Sequence, residues 1–167
     1  GRPFDSVEEM NETLIQNHNS IVKSNDTVYF LGDFSFGNLT DTISILDRLN
    51  GTKHFIFGNH DKVIANNQKV LFGKTRFFSL NDYREIYVNN QKICLFHFGQ
   101  RIWNKSHYGS WHLFGHSHGS LEPMGKSVDV GVDSYWVNGK KYFPFSFDEI
   151  ATFMDKQVFE KVDHHGD

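Results

Sequence analysis

The sequence predicts a mixed α/β sandwich with helices on its outer faces. Three observations lead there. Short β-rich runs alternate with helical patterns in the first part of the chain, and strand pairs follow. Hydrophobic residues make up 38% of the chain and charged residues 22%, a globular mixture with material for a core. The length of 167 residues suits one domain, 1–167, and no internal repeat, low-complexity tract or linker divides it.

The elements follow in order. Ser6-Val7-Glu8-Glu9 has the form of a capping box and opens a helix. Val7, Met10, Leu14 and Ile21 recur at roughly helical spacing and give it one apolar face. Asn25-Asp26 marks a turn. Residues 27–31 are β-branched and aromatic and predict a buried strand that stops at Gly32-Asp33. A second helix is predicted over 40–49, with Ile43, Leu46 and Leu49 inward and Asn50-Gly51 ending it. Residues 54–57 form the next strand, which ends at Gly58-Asn59-His60-Asp61. Residues 62–82 fit neither period. Residues 84–88 and 92–96 flank Asn89-Asn90-Gln91 as a hairpin, and its second strand runs into His97. Residues 111–114 form a strand ending at Gly115-His116-Ser117-His118, and 127–132 form one more. Ser146-Phe147-Asp148-Glu149 is a second capping box, opening a C-terminal helix with Ile150, Phe153 and Met154.

Composition narrows the function classes. The formal net charge is -3 and no basic run occurs, so no sequence-specific nucleic-acid partner is expected. The 17 Phe therefore read as core rather than as a base-stacking platform. No apolar stretch approaches the ~20 residues of a membrane span, so no membrane partner is expected. No signal peptide is visible at Gly1. The lone Cys94 lies in the apolar run 93–96 and reads as a small buried hydrophobe. A reducing, cytoplasmic setting fits it. The sequence specifies no oligomeric state.

Four predicted strands end in groups with metal-binding chemistry: Asp33; Asn59 with His60 and Asp61; His97; and His116 with His118. Ligand sites in α/β folds gather at the carboxyl ends of strands. One such histidine is ordinarily structural, but an ordered set of four strand ends points to a shared site. A carboxylate such as Asp33 has two oxygens and can bridge two cations. His97 and His116 offer neutral imidazole, a ligand for Zn, Mn, Fe or Ni. Asn59 adds an amide oxygen without adding charge. His116 and His118 are two apart, so they share a face on an extended strand and can diverge in a turn.

The set resembles the calcineurin-like metallophosphoesterase family, in its small bacterial and phage branch. That family shows D-x-H, then G-D, G-N-H-[DE], a lone H and G-H-x-H, each just after a strand. Gly32-Asp33, Gly58-Asn59-His60-Asp61, His97 and Gly115-His116-Ser117-His118 stand here in the same order, and the run 103–112 is also similar to that branch. The resemblance implies an αββα sandwich of two mixed β-sheets flanked by helices. It implies a metal-dependent hydrolase of phosphomono- or phosphodiesters, acting through a dinuclear centre and a metal-activated hydroxide. The cofactors implied are two divalent ions, Mn, Fe, Zn or Ni, and the partner is a phosphate-ester substrate. Asp33 would bridge the metals, Asn59, His97 and His116 would complete one site, and His118 would belong to the other. His60 would act at the leaving oxygen, with Asp61 holding its ring. No D-x-H stands ahead of the first predicted helix, where the family has it, and Asp163-His164-His165 lies at the other end of the chain. The expectation is that the fold's first strand is truncated from this sequence. The alternative is a catalytically impaired metal-binding or protein-interaction module lacking D-x-H. A metallo-β-lactamase-type hydrolase ranks lower because its H-x-H-x-D-H cluster is missing.

Outside the motifs, Arg101, Trp103, Lys105 and His107 follow His97 in a loop and are candidates for substrate contact, with a solvated loop the alternative for His107. His112 alternates with Trp111 and Leu113 and reads as packing. His18 and His54 read as surface or core positions, and His164-His165 as a frayed tail. Asp129 and Asp133 read as solvated strand-end carboxylates in preference to supports for the site.

Overall fold

The computed structural model describes residues 1–74 and 77–158, the side chains of residues 74, 77 and 78 excepted. The Asp163-His164-His165 stretch lies outside the described residues. The order is α1 (Val7–Ile21), β1 (Thr27–Phe30), α2 (Leu39–Arg48), β2 (Thr52–Ile56), α3 (Lys62–Asn66), α4 (Gln68–Lys74), β3 (Phe77–Asn81), β4 (Tyr83–Val88), β5 (Gln91–Phe96), β6 (Trp111–Phe114), β7 (Ser127–Asp129) and α5 (Phe147–Asp155), with a 3₁₀ turn at Ser106–Tyr108. β1, β2 and β3 form one sheet, paired in parallel. β4, β5, β6 and β7 form the second, in which β4 and β5 are antiparallel and the others parallel. The architecture is the expected α/β sandwich of two sheets with flanking helices.

Alternation along the strands builds a core on each side of the first sheet. Phe55 joins Leu46, Ile64 and Leu71 from the helices, with Phe30 packed against them. Its neighbour Ile56 enters a second cluster with Ile93, Leu95, Trp111, Leu113 and Val128 of the other sheet and Ile150 and Met154 of α5. Tyr29 and Leu31 pack against this inter-sheet cluster. Beyond the second sheet, the loop after His97 folds back over β5 and β6. The Trp103 ring lies 5.5 Å from the ring of His112, and Trp103 Nε1 donates to the carbonyl of Ser110.

Local chemistry sets the element ends. Ser6 caps α1 by accepting from the Glu9 amide, but the Glu9 carboxylate reaches past it to the Asp5 amide, so the expected capping box is half formed. At α5 both halves form between Ser146 and Glu149. Asn38 caps α2 through the Asp41 amide, which starts that helix one residue earlier than its periodicity predicts. Residues 62–82 resolve into two short helices and β3. Asn89 and Asn90 sit at φ 48° and 66°, the pair of left-handed residues that a tight type I′ hairpin needs. β7 stops at Asp129 rather than at 132, because the Asp129 carboxylate takes the Gly131 amide and turns the chain.

Candidate metal centre

Parallel pairing puts the C-terminal ends of β1 and β2 at one end of the first sheet, and those of β5, β6 and β7 at one end of the second. The sheets meet at that rim, because the His97 ring nitrogen Nδ1 donates to the carbonyl of Leu31, at 2.6 Å. Asp33, His116 and His118 are held at φ 55°, 64° and 51°, a left-handed conformation that non-glycine residues seldom adopt and that clusters at functional sites. The glycines before the ligands allow the loops to nest. A Cβ on Gly32 would stand 2.3 Å from His97 Nδ1, and one on Gly58 would stand 2.3 Å from an Asp33 carboxylate oxygen. G-D and G-N are therefore steric requirements of the rim.

Around His97 the side chains converge. Its Nε2 lies 3.1 Å from Asn59 Oδ1, 3.3 Å from Asp33 Oδ2 and 3.2 Å from His116 Nδ1. The ligand atoms of Asp33, His97 and His116 all lie within 4.8 Å of one another. The bond to Leu31 assigns the proton of neutral His97 to Nδ1, so Nε2 presents a lone pair. That lone pair faces two oxygens that are themselves acceptors. Such a concentration of electron pairs is favourable around a cation, and the nitrogen and oxygen donor set suits a divalent transition metal. His97 is fully buried whereas Asn59 and His116 are exposed, so the cluster has a closed floor and an open mouth.

Two carboxylates behind the rim act on the loops. Asp61 does not hold the His60 ring as the resemblance implied. Its two oxygens accept from the amides of Gly58, Asp33 and Phe34, at 2.8, 2.8 and 2.9 Å, and it is 2% exposed. It ties the G-D loop to the G-N-H-D loop. Asp129 does the same for G-H-S-H: it accepts from Ser117 Oγ and from the amides of Gly119 and Gly131. Asp129 is fully buried, which overturns its reading as a solvated carboxylate.

Asp133 is also buried, again contrary to expectation. It accepts His118 Nδ1 at 2.7 Å and a two-pronged bond from Arg2 at 2.8 Å on each oxygen. Burial pushes its carboxyl up, and the hydrogen bonds and charges of Arg2 and His118 outweigh that and hold it below the ordinary range. His118 itself stands outside the close group of Asp33, His97 and His116 and turns its other ring nitrogen away from Asp133. The sequence marked Asp129 and Asp133 as strand-end acids but not as buried supports of the loops. Nothing in the sequence marked Arg2.

His60 is exposed, its amide donates to Asp33 Oδ1 at 2.9 Å, and its ring tilts against Phe36 with centroids 5.0 Å apart. Trp103, Lys105 and His107 line a pocket of about 420 Å³, whereas Arg101 is exposed and does not line it. His112 is fully buried, accepts from the Gln100 amide and bonds the Cys94 carbonyl; burial pushes its pKa down. Cys94 is buried and its thiol is pushed up by burial. Among the described residues no helix is long and apolar enough to cross a membrane.

Comparison with known proteins gives a relative, a partial match and two folds. No family model matches the chain. Gene 66 protein of Mycobacterium phage L5 is 42% identical over 60 residues, covering 34% of this chain and 29% of that protein. Among solved structures, the protein of unknown function AQ665 from Aquifex aeolicus superposes with a TM-score of 0.64 at 23% identity, covering 90% of this chain and 88% of that one. A structure described as a novel archaeal phosphodiesterase superposes with a TM-score of 0.55 at 17% identity, over 78% and 80%. These two show a shared fold. Uncharacterized protein MJ1445 of Methanocaldococcus jannaschii is 35% identical over 164 residues, 93% of this chain and 81% of its own length, and the chain belongs to the family of that protein.

Proposed function

We propose that the chain is a metal-dependent phosphoesterase of the calcineurin-like type, hydrolysing phosphomono- or phosphodiesters at the rim around His97. The observation that carries this reading is the convergence of Asn59, Asp33 and His116 on His97 Nε2, with Nδ1 tied to Leu31. The fold shared with a protein described as a phosphodiesterase supports it. Asp33, Asn59, His97 and His116 would hold one divalent ion, and Asp33 with His118 would contribute to a second, with Mn, Fe, Zn or Ni as candidates. Bound there, a divalent cation supplies positive charge to the phosphoryl oxygens as the ester breaks and makes water a stronger nucleophile.

The chain's own residues supply the remainder. His60 stands at the open mouth, fixed through its amide to the Asp33 carboxylate, and a ring nitrogen gives a proton to the leaving oxygen. Asp61 and Asp129 hold the loops at the geometry the ligands need. A cytoplasmic setting suits the unpaired, buried Cys94.

The test loads the full-length protein with Mn or Zn, measures bound metal, and assays bis(p-nitrophenyl) phosphate. The expected result is metal-dependent hydrolysis, with His97→Ala losing at least about 100-fold in metal affinity or rate. Metal binding without hydrolysis would favour a metal-binding module, and no metal binding would remove both readings.

A further inference from the structure

The histidines of the G-H-S-H loop are held in different ways. Asp61 and Asp129 fasten the backbones of the loops that carry Asp33, Asn59, His116 and His118. The His116 ring has further support from Phe98, at 4.6 Å between centroids, and from His97, at 5.0 Å. The side chain of His118 is 68% exposed, and its ring has one hydrogen bond among the described residues, from Nδ1 to Asp133 Oδ2 at 2.7 Å. An exposed imidazole turns between rotamers unless a partner stops it, so the direction of His118 Nε2 depends on where Asp133 stands.

Asp133 is set in turn by Arg2. The guanidinium donates from Nε to Oδ1 and from Nη2 to Oδ2, each at 2.8 Å, so Oδ2 accepts from Arg2 and His118 together. A two-pronged bond of this kind fixes the plane of a carboxylate, which a point charge does not. Arg2 is itself fastened. Its Nη1 donates to the Met10 sulfur of α1 at 3.4 Å, and Phe4 packs edge-on against Tyr142 with centroids 5.2 Å apart. Asn17 of α1 donates to the Tyr142 carbonyl at 3.0 Å, and the Tyr142 amide donates to the carbonyl of Val132, next to Asp133. The segment ahead of α1, α1 itself and the loop after β7 thus close around Asp133.

We infer that Arg2 is a positioning residue for His118: through Asp133 it aims Nε2 at the place of a second cation, which therefore has a support separate from that of the first. The inference rests on the phosphoesterase reading for the cation and on the geometry alone for the ring. Charge gives the role a sign of its own. Arg2 is a cation, and like charges repel, so an Arg2 that acted by charge alone would weaken a nearby metal ion, and its removal would tighten that ion. An Arg2 that acts by holding Asp133 has the opposite effect, and its removal loosens the ion.

The test compares the full-length protein with Arg2→Met, which loses every donor, and Arg2→Lys, which keeps the charge on a single point. ¹⁵N spectra of the metal-free proteins, taken above the ordinary histidine titration range, read the His118 tautomer. Calorimetric titration with Mn or Zn reads the metal equivalents. Arg2→Met is expected to mix the His118 tautomers and to weaken the second equivalent by about 10–100-fold, with the first unchanged. Arg2→Lys should lie between it and the unaltered protein. Because Arg2 acts through Asp133, Arg2→Met should add nothing to Asp133→Asn. An Arg2 that only stabilises the fold would lower the urea midpoint and leave the His118 spectrum as it is, and that result would overturn the inference. A second equivalent bound as tightly or more tightly in Arg2→Met would overturn it too, as would equal weakening of both equivalents. Fewer than two equivalents in the unaltered protein would overturn the second cation of the phosphoesterase reading, while altered His118 spectra would still sustain Arg2 as the residue that sets the ring.

Discussion

At the scale of single residues, a few side chains decide what the rim can do, and each has a partner that fixes it. His118 is the clearest case. Asp133 receives its Nδ1 proton and is itself gripped by Arg2, so His118 is set as the tautomer with Nε2 free. Asp133→Asn puts an amide there that can donate as well as accept, and the tautomer should become mixed. The expected outcome is a shift of the His118 ring nitrogens in ¹⁵N spectra and a weaker second metal equivalent, with the first unchanged. Asp61 is a different kind of residue, buried and saturated with three amide bonds. Asp61→Asn leaves at least one of those amides without its acceptor, and an unmet buried donor costs about 1–3 kcal/mol. Urea unfolding should show a loss of that order, and metal affinity should fall with it, because Asp33 and Asn59 lie on the two loops that Asp61 joins.

At the scale of elements, the motifs work because of where the strands stop. The ends of β1, β5 and β6 were legible to within a residue or two, and so were the groups that follow them, because alternation and β-branched content end abruptly at glycine. What was not legible depends on contacts between distant residues. No period along 62–82 foretold two short helices and a strand, since Ile64 and Leu71 are chosen by their fit against Phe55 and Leu46. Burial of Asp129 and Asp133 likewise depends on a loop and an N-terminal segment that meet them only in three dimensions. The glycine ends can be tested directly. Gly58→Ala places a methyl group 2.3 Å from the Asp33 carboxylate, and the backbone amide of Asp33 is 2.4 Å away. The loops must separate, so the variant should lose stability and bind metal poorly, by calorimetry on the metal-free and loaded protein. The hairpin should respond in the opposite sense. Asn90 sits at φ 66°, and Asn90→Gly removes the side-chain cost of that conformation and should raise stability, read as a higher urea midpoint.

Over the whole molecule, buried histidines outside the ligand set couple the packing to pH, His18 and His112 among them. His18 stacks on Phe30 between α1 and the first sheet and bonds the Asn50 carbonyl, and His112 lies under the loop that carries Trp103. Burial is the main cause that lowers both pKa values below the ordinary 6.5, and the charge of Lys53 adds to it at His18. The native state thus keeps both rings neutral where the unfolded chain has begun to protonate them. Between the lowered native values and 6.5 the unfolded state binds more protons, so stability rises with pH across that window and is lost as pH falls through it. The depressed carboxyl groups act in a separate, more acidic range. Glu85, held at about 2 chiefly by its bond to Lys92, and Asp133, held below 3.8, lose their contribution only as pH falls below ordinary carboxylate values. Metal-free protein should therefore lose stability in two steps on acidification, the first starting near pH 6.5. His18→Gln removes one titrating ring while leaving an amide able to reach the Asn50 carbonyl. Its unfolding free energy, measured by urea from pH 7.5 to 5, should fall less steeply than that of the unaltered protein, with the more acidic step unmoved. Parallel curves for the two proteins would mean that His18 is protonated equally in the native and unfolded chains, and that burial between α1 and β1 does not govern its charge.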